Sequence, residues 1–276
     1  MRLLISFLFV AFIFNIISCQ YEDGSSGFSN QNIDSIQYSI KNREKQIGDC
    51  SSDLSPCMTI KIQTLDIKSG VSDKVAVNIE LDIEKEILYH EGDETSTAKN
   101  LDELVDILIE EYRNLLKEFP DYDLPWETTY TLNVLYNKNG LLSIDMYSYT
   151  FRGGAHGIET SKILNYNLYN GNRLKLDSVL IVNDNLVKIC EKYFRKAKGI
   201  GDNVSYENTI YFIADNEFFI PDNFTITDTK IKFFYNPYEI APYSEGIVDF
   251  EVDLQAIRPF IKSEIILNIL QKAQKT

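Results

Sequence analysis

The sequence predicts an α+β fold, an antiparallel sheet with helices packed on one face, and three observations carry that reading. Apolar residues recur at helical spacing through residues 101–119. Three strand-like runs, 127–136, 141–151 and 159–169, follow one another across turn sequences rich in Asn and Gly. Helices and strands come in blocks without regular alternation, which favours α+β over a parallel βαβ arrangement.

The chain opens with an export signal. Met1 and Arg2 precede an apolar run, residues 3–14, interrupted only by Ser6; Asn15 and the tetrad Ile16, Ile17, Ser18 and Cys19 follow. That run is too short to span a bilayer comfortably and ends at small residues, as a secretory segment with its cleavage site does. The tetrad fits a bacterial lipobox, so residues 1–18 are expected to be a lipoprotein signal peptide and Cys19 the lipidated N-terminus. An ordinary secretory peptide or an uncleaved anchor helix is the alternative. Two or three acyl chains on Cys19 would anchor the protein stably to a membrane, where a single chain holds only marginally. The expected location is the bacterial cell envelope; Gln20 stands where an aspartate commonly signals inner-membrane retention in some Gram-negative bacteria, so in a Gram-negative cell the expectation is the periplasmic face of the outer membrane or the cell surface. Residues 19–35, rich in Ser, Gly, Asn and Asp, form the expected tether.

The 276-residue chain carries a formal net charge of -14. A field of that sign repels nucleic acid and anionic lipid heads and attracts basic partners, although it also serves solubility alone. In an oxidising compartment, Cys50 and Cys57, in a loop rich in Ser, Asp and Pro, are expected to close a disulfide, since the C-x-x-C spacing of a redox pair is absent. Cys190 shares a helical face with Leu186, Ile189, Tyr193 and Ala197 and reads as a buried, inert thiol.

The elements follow in order. Residues 36–64 alternate apolar and polar on either side of the cysteine loop, with Met58, Ile60 and Ile62 on one face, which predicts two strands. Residues 74–88 fit two periods, because Val75, Val77, Ile79, Leu81 and Ile83 alternate while Ile79, Ile83 and Ile87 also recur every four residues. Residues 101–119 form an amphipathic helix that stops at Pro120. The next two strands turn at Asn137, Lys138, Asn139 and Gly140, and Asn170-Gly171 closes a later hairpin. A helix over 184–198 lies between Asn183 and Gly199. Strands near 224–227, 230–235 and 247–252 and a helix near 263–275 complete the chain. The boundaries drawn are an N-terminal α+β subdomain with the cysteine loop, 36–125, and a C-terminal α+β domain, 126–276.

Two stretches carry a family likeness. The first, residues 147–180, reads YSYTFRGGAHGIETSKILNYNLYNGNRLKLDSVL; the second, residues 224–246, reads FTITDTKIKFFYNPYEIAPYSEG. Together they resemble the domain of unknown function in the extracytoplasmic part of RsiV-type anti-sigma factors, which also accompanies the catalytic domain of a PdaC-type peptidoglycan deacetylase. The likeness runs from about Trp126 to the end, and the cysteine loop upstream is similar to the companion domain that usually precedes it. The resemblance implies an extracytoplasmic receptor module that binds lysozyme. Neither the sigma-binding segment and transmembrane helix of the anti-sigma factors nor the catalytic domain of the deacetylase is expected from these motifs, so sigma regulation is not part of the expectation.

His156, in the loop of Arg152, Gly153, Gly154, Ala155, His156 and Gly157, is the natural first candidate for catalysis, since imidazole moves protons near neutral pH. It has no identifiable nucleophile or second ligand, so a hydrogen-bonding role weighs more. Tyr235, Tyr238 and Tyr243, punctuated by Pro237 and Pro242 and flanked by Glu239 and Glu245, either form a rigid recognition surface or cover a sheet edge. Two histidines without H-E-x-x-H or C-x-x-C spacing make a zinc site improbable, and no cofactor is implied. Asp215, Glu217 and Asp222 are a loose calcium candidate, off the spacing of an EF-hand. The expectation is therefore a non-enzymatic, lipid-anchored binding protein with candidate binding residues Arg152, Gly153, Gly154, His156, Tyr238, Glu239 and Tyr243. The alternative is an enzyme acting on envelope polysaccharide or peptidoglycan through His156.

Overall fold

The computed structural model describes residues 33–51, 56–91 and 98–275. The expected signal peptide, the lipidated Cys19 and the tether up to residue 32 lie outside the described residues.

Strands β1 (Gln37–Gly48) and β2 (Cys57–Ser69) pair antiparallel, and the Cys50–Cys57 disulfide clips the loop between them with its Cα atoms 5.3 Å apart. Helix α1 (Asp73–Glu91) settles the segment that fitted two periods. Val75, Ile79, Ile83 and Ile87 are buried, whereas Val77 and Leu81 are about half exposed at 49% and 48%, so the period is helical. Helix α2 (Leu101–Glu118) buries Leu101, Leu104, Val105, Leu108, Ile109 and Tyr112. Asn100 caps it by accepting from the Glu103 N–H, while the Glu103 carboxylate reaches back to the Lys99 N–H.

Strands β3 (Trp126–Lys138), β4 (Leu141–Phe151) and β5 (Ile158–Asn167) continue the same sheet in the order β1-β2-β3-β4-β5. The β3–β4 turn places Asn139 and Gly140 at φ 56° and 77°, the left-handed pair that matches the strand twist. The α+β class stands. The sheet is not wholly antiparallel, however, because β2 and β3 pair in parallel from Met58↔Trp126 to Ile62↔Tyr130. The reason is the connection: α1 and α2 lie between these strands and carry the chain back to the starting end, as a crossover must. Both helices cover the face bearing Ile60, Ile62, Tyr130, Ile144 and Leu164, and these residues share one core.

After a short helix α3 (Leu176–Val179) comes α4 (Asp184–Lys198), capped by Asn183 and ended by Gly199 at φ 68°. Strands β6 (Phe224–Ile226), β7 (Lys230–Tyr235) and β8 (Val248–Asp253) form a second, three-stranded antiparallel sheet, and α5 (Glu264–Ala273) closes the chain. Its core gathers Cys190 and Phe194 of α4, Phe233 and Phe250 of the sheet, and Ile266, Ile269 and Leu270 of α5. Burial pushes the Cys190 thiol up to about 12, so it stays protonated and unreactive in the fold. Phe194 is the hub onto which Tyr206, Tyr211 and Phe218 pack, which fastens much of the irregular segment between α4 and β6. No helix among the described residues is long and apolar enough to cross a membrane.

Asparagine side chains join the two sheets. Strand β5 is the edge of the first sheet, and its outer backbone groups would stand unpaired beside β6. Instead the Asn223 side chain accepts from the Ile163 N–H at 2.6 Å and donates to the Ser161 carbonyl at 2.6 Å. Asn236 accepts from the Ser161 N–H at 2.7 Å, and Asn165 donates to the Phe224 carbonyl at 2.7 Å. Each primary amide thus stands in for a strand residue. Asn223→Ala would leave a buried N–H and a carbonyl without partners, and is expected to cost about 2–4 kcal/mol of unfolding free energy, read from the urea midpoint; an unchanged midpoint would show that water replaces the amide.

Candidate functional site

Two loops from the two sheets meet at the site. The first, residues 152–157, joins β4 to β5; the second, residues 236–247, joins β7 to β8.

The first loop points its two halves in different directions. Its beginning is held against the end of α2. The Tyr122 hydroxyl donates to the Arg152 carbonyl at 3.3 Å and accepts from Trp126 Nε1 at 3.0 Å. The Arg152 guanidinium lies 4.8 Å over the Trp126 ring and 3.9 Å from the Glu111 carboxylate. Gly153, at φ 89°, leaves room there for Tyr122, whose hydroxyl would sit 2.5 Å from an added Cβ. Arg152 and Gly153 are therefore parts of the scaffold at the α2 end of the sheet. Gly154 sits at the open tip, with nothing within 4 Å of an added Cβ.

The loop's second half faces the other sheet. The His156 ring stacks on Tyr243, with centroids 4.2 Å apart and planes 19° apart, and Tyr238 lies 5.7 Å from Tyr243. The structure thus brings His156, Tyr238 and Tyr243 together across 87 residues of chain, and His156 and Tyr238 are exposed. The His156 Nδ1–H donates to the Gly157 carbonyl at 2.8 Å, which fixes the ring. Tyr235 belongs to the core instead, 1% exposed, with its hydroxyl donating to the Phe219 carbonyl.

The second loop is rigid by its own bonding. The Tyr238 N–H donates to the Ala241 carbonyl at 3.1 Å, with Tyr238 at φ 69°, a conformation that a bulky residue keeps only where its surroundings enforce it. Glu239 accepts from the Asn236 N–H at 3.0 Å, so its carboxylate closes the turn. Burial of that carboxylate raises its pKa, partly offset by the Asn236 donor. Ile240 and Ala241 anchor the loop in the core.

The site extends further than the sequence reading saw. Tyr147 and Tyr149 alternate onto the same face of β4, and Tyr149 stands opposite Glu159 of β5 in the ladder. The Tyr147 hydroxyl donates to Glu159 Oε2 at 2.8 Å. Burial, then the adjacent Glu159 carboxylate, pushes the Tyr147 phenol up to about 12. The signal was present as strand alternation, but which residues of β5 oppose them depends on register.

No nucleophile or acid–base pair accompanies His156 in these contacts. Among the described residues no group of three or more His, Cys, Asp or Glu is placed to hold a metal, Asp215, Glu217 and Asp222 included. A cavity of about 410 Å³ elsewhere, beside β5, is lined by Glu86, Lys162, Arg173, Lys175, Asp177 and Asp222. Its innermost charges satisfy one another: Arg173 lies 2.7 Å from Asp82 and 2.9 Å from Glu86, and Lys162 pairs with Glu86. That network ties the Asn170-Gly171 hairpin to α1.

Comparison with known families and structures agrees with the domain family seen in the motifs. Residues 180–255 match the family described as a protein of unknown function, DUF3298, and residues 27–159 match the family described as deacetylase PdaC. The fold is similar to the crystal structure of a DUF3298 family member from Bacteroides fragilis, with a TM-score of 0.73 and 19% identity over 87% of this chain and 100% of that one. It is also similar to a DUF3298 family protein from Pseudomonas aeruginosa, with a TM-score of 0.60 and 18% identity over 83% of this chain and 96% of the other. No curated protein matches the chain. These likenesses support the domain family and, at this identity, the fold.

The glycine that ends the first loop gives a direct test of the site's packing. An added Cβ at Gly157 would lie 2.4 Å from the Tyr149 ring. Gly157→Ala is therefore expected to cost about 1–3 kcal/mol in a thermal or urea melt and to displace Tyr149, with full native stability as the contrary result.

Proposed function

We propose that this chain is a lipid-anchored, extracytoplasmic binding protein whose exposed aromatic face recognises a basic protein, with a lysozyme-like muramidase the leading candidate. The observation that carries this reading is the His156–Tyr243–Tyr238 cluster, a rigid aromatic surface assembled from two loops with carboxylates beside it. Tyrosine offers large apolar area with a polar tip at low entropic cost, the composition of binding hot spots. The net charge of -14 favours a cationic partner by steering. The resemblance to the RsiV-type receptor region supports the same class of partner.

A second reading, an enzyme acting on envelope polysaccharide, draws on the match of residues 27–159 to a family named as a deacetylase, a span that includes His156. The ring's fixed Nδ1–H and the absence of a neighbouring nucleophile weigh against it. Loss of a measurable deacetylase or hydrolase activity in His156→Ala would revive it.

Calorimetric titration of a soluble fragment, residues 20–276, with a c-type lysozyme decides the ligand. Micromolar or tighter binding that persists from low to physiological salt is expected; no heat at either salt from folded protein refutes this ligand. For the anchor, Cys19→Ser is expected to move the protein from the membrane fraction to the soluble one and to abolish labelling by radioactive palmitate, and unchanged membrane association would refute lipidation at Cys19.

A further inference from the structure

Glu159 is a half-buried carboxylate at the rim of the aromatic face. Some partly buried acids in this protein meet a cation, as Glu86 does with Lys162 and Arg173 and Asp66 with Lys41 and Lys68, whereas Asp145 is held by a hydroxyl donor from Ser161. Glu159 forms no salt bridge among the described residues, and its bonded partner is a phenol, Tyr147, at 2.8 Å. Tyr149 stands directly across the ladder from it. On the third side the backbone of Gly246, at φ 61° and ψ -146°, comes close enough that an added Cβ would lie 3.8 Å from Glu159 Oε1. Burial, with the Glu159 carboxylate second, holds the Tyr243 phenol above its usual range, and Tyr243 stacks on His156.

A carboxylate drawn partly out of water without a counter-ion is costly. A cation from outside relieves that cost. We infer that Glu159, with Tyr147, Tyr149 and Tyr243 around it, is the seat for a lysine ammonium or arginine guanidinium of the bound protein, an inference that rests on the binding reading above. Tyr147 orients the carboxylate, the rings supply cation–π attraction, and Gly246 keeps the third side free of a side chain. Loss of the charge should therefore matter more than loss of apolar area. The seat also gives the face selectivity, since a neutral or acidic loop would leave Glu159 uncompensated.

The test uses the full chain in mild detergent, comparing wild type, Glu159→Gln and Tyr147→Phe against c-type lysozyme and against the same lysozyme with its lysines acetylated. Glu159→Gln is expected to weaken binding of unmodified lysozyme at least about tenfold, with a smaller loss for Tyr147→Phe. Equal affinity in wild type and Glu159→Gln, with wild type binding well, overturns the cation seat and leaves the binding reading intact. Should wild type not bind lysozyme at all, titration with methylguanidinium, followed by carbon-13 signals of labelled tyrosine, decides the seat by itself. Saturable tyrosine shifts that vanish in Glu159→Gln support it, and shifts that are absent or shared by both proteins overturn it. Matching thermal midpoints exclude misfolding, and Tyr243→Leu serves as the second variant if Glu159→Gln does not fold.

Discussion

The arrangement of this protein depends on amide side chains doing the work of a strand. The outer edge of β5 has backbone groups that must be paired or hydrated, and a fully formed neighbour strand would have locked the two sheets into one flat surface. Asn223, Asn236 and Asn165 satisfy those groups locally instead. The second sheet can then turn away to build its own aromatic core on Phe194 while these amides hold it to the first. Asn236 is also the first residue of the loop that carries Tyr238 and Tyr243, so its bond to the Ser161 N–H ties the start of that loop to β5.

The same device recurs at the other end. Asn137 accepts from the Ile36 N–H at 2.9 Å and donates to the Ile36 carbonyl at 2.9 Å, and Gln63 accepts from the Leu132 N–H at 3.0 Å. In both cases a side-chain amide extends pairing past the point where strand geometry fails. Local satisfaction of this kind lets a small domain keep irregular junctions without buried, unpaired polar groups.

Much of the fold was legible in the sequence because its signals are local. The caps of α4, the Asn139-Gly140 turn and the stripes of Leu101–Glu118 and Asp184–Lys198 each lie within a few residues, and each appears where expected. Residues 74–88 were ambiguous because burial of Val75 and exposure of Val77 follow from what lies underneath, which periodicity alone does not contain. The parallel pairing of β2 with β3 was hidden for a similar reason, since it joins residues more than sixty positions apart. For the site, the motifs around His156 and Tyr243 were visible, and their contact was not. Arg152 and Glu239 sit in those motifs and yet serve the scaffold, whereas Glu159 and Tyr149 lie in ordinary strand sequence and face the site through register.

The clip at Cys50 and Cys57 acquires a mechanical meaning from the order of the strands. A force applied at residue 33 reaches the Asp34 and Ile36 contacts with the β3–β4 turn first, and then β1, an edge strand that can peel from β2 one pair at a time. Peeling ends at Gly48, because the disulfide passes tension straight to Cys57 and spares the loop between. The load then falls on Met58, Ile60 and Ile62, all at most 1% exposed in the core. The fold can therefore lengthen by one strand under tension and resist thereafter, like a short leash ending in a knot.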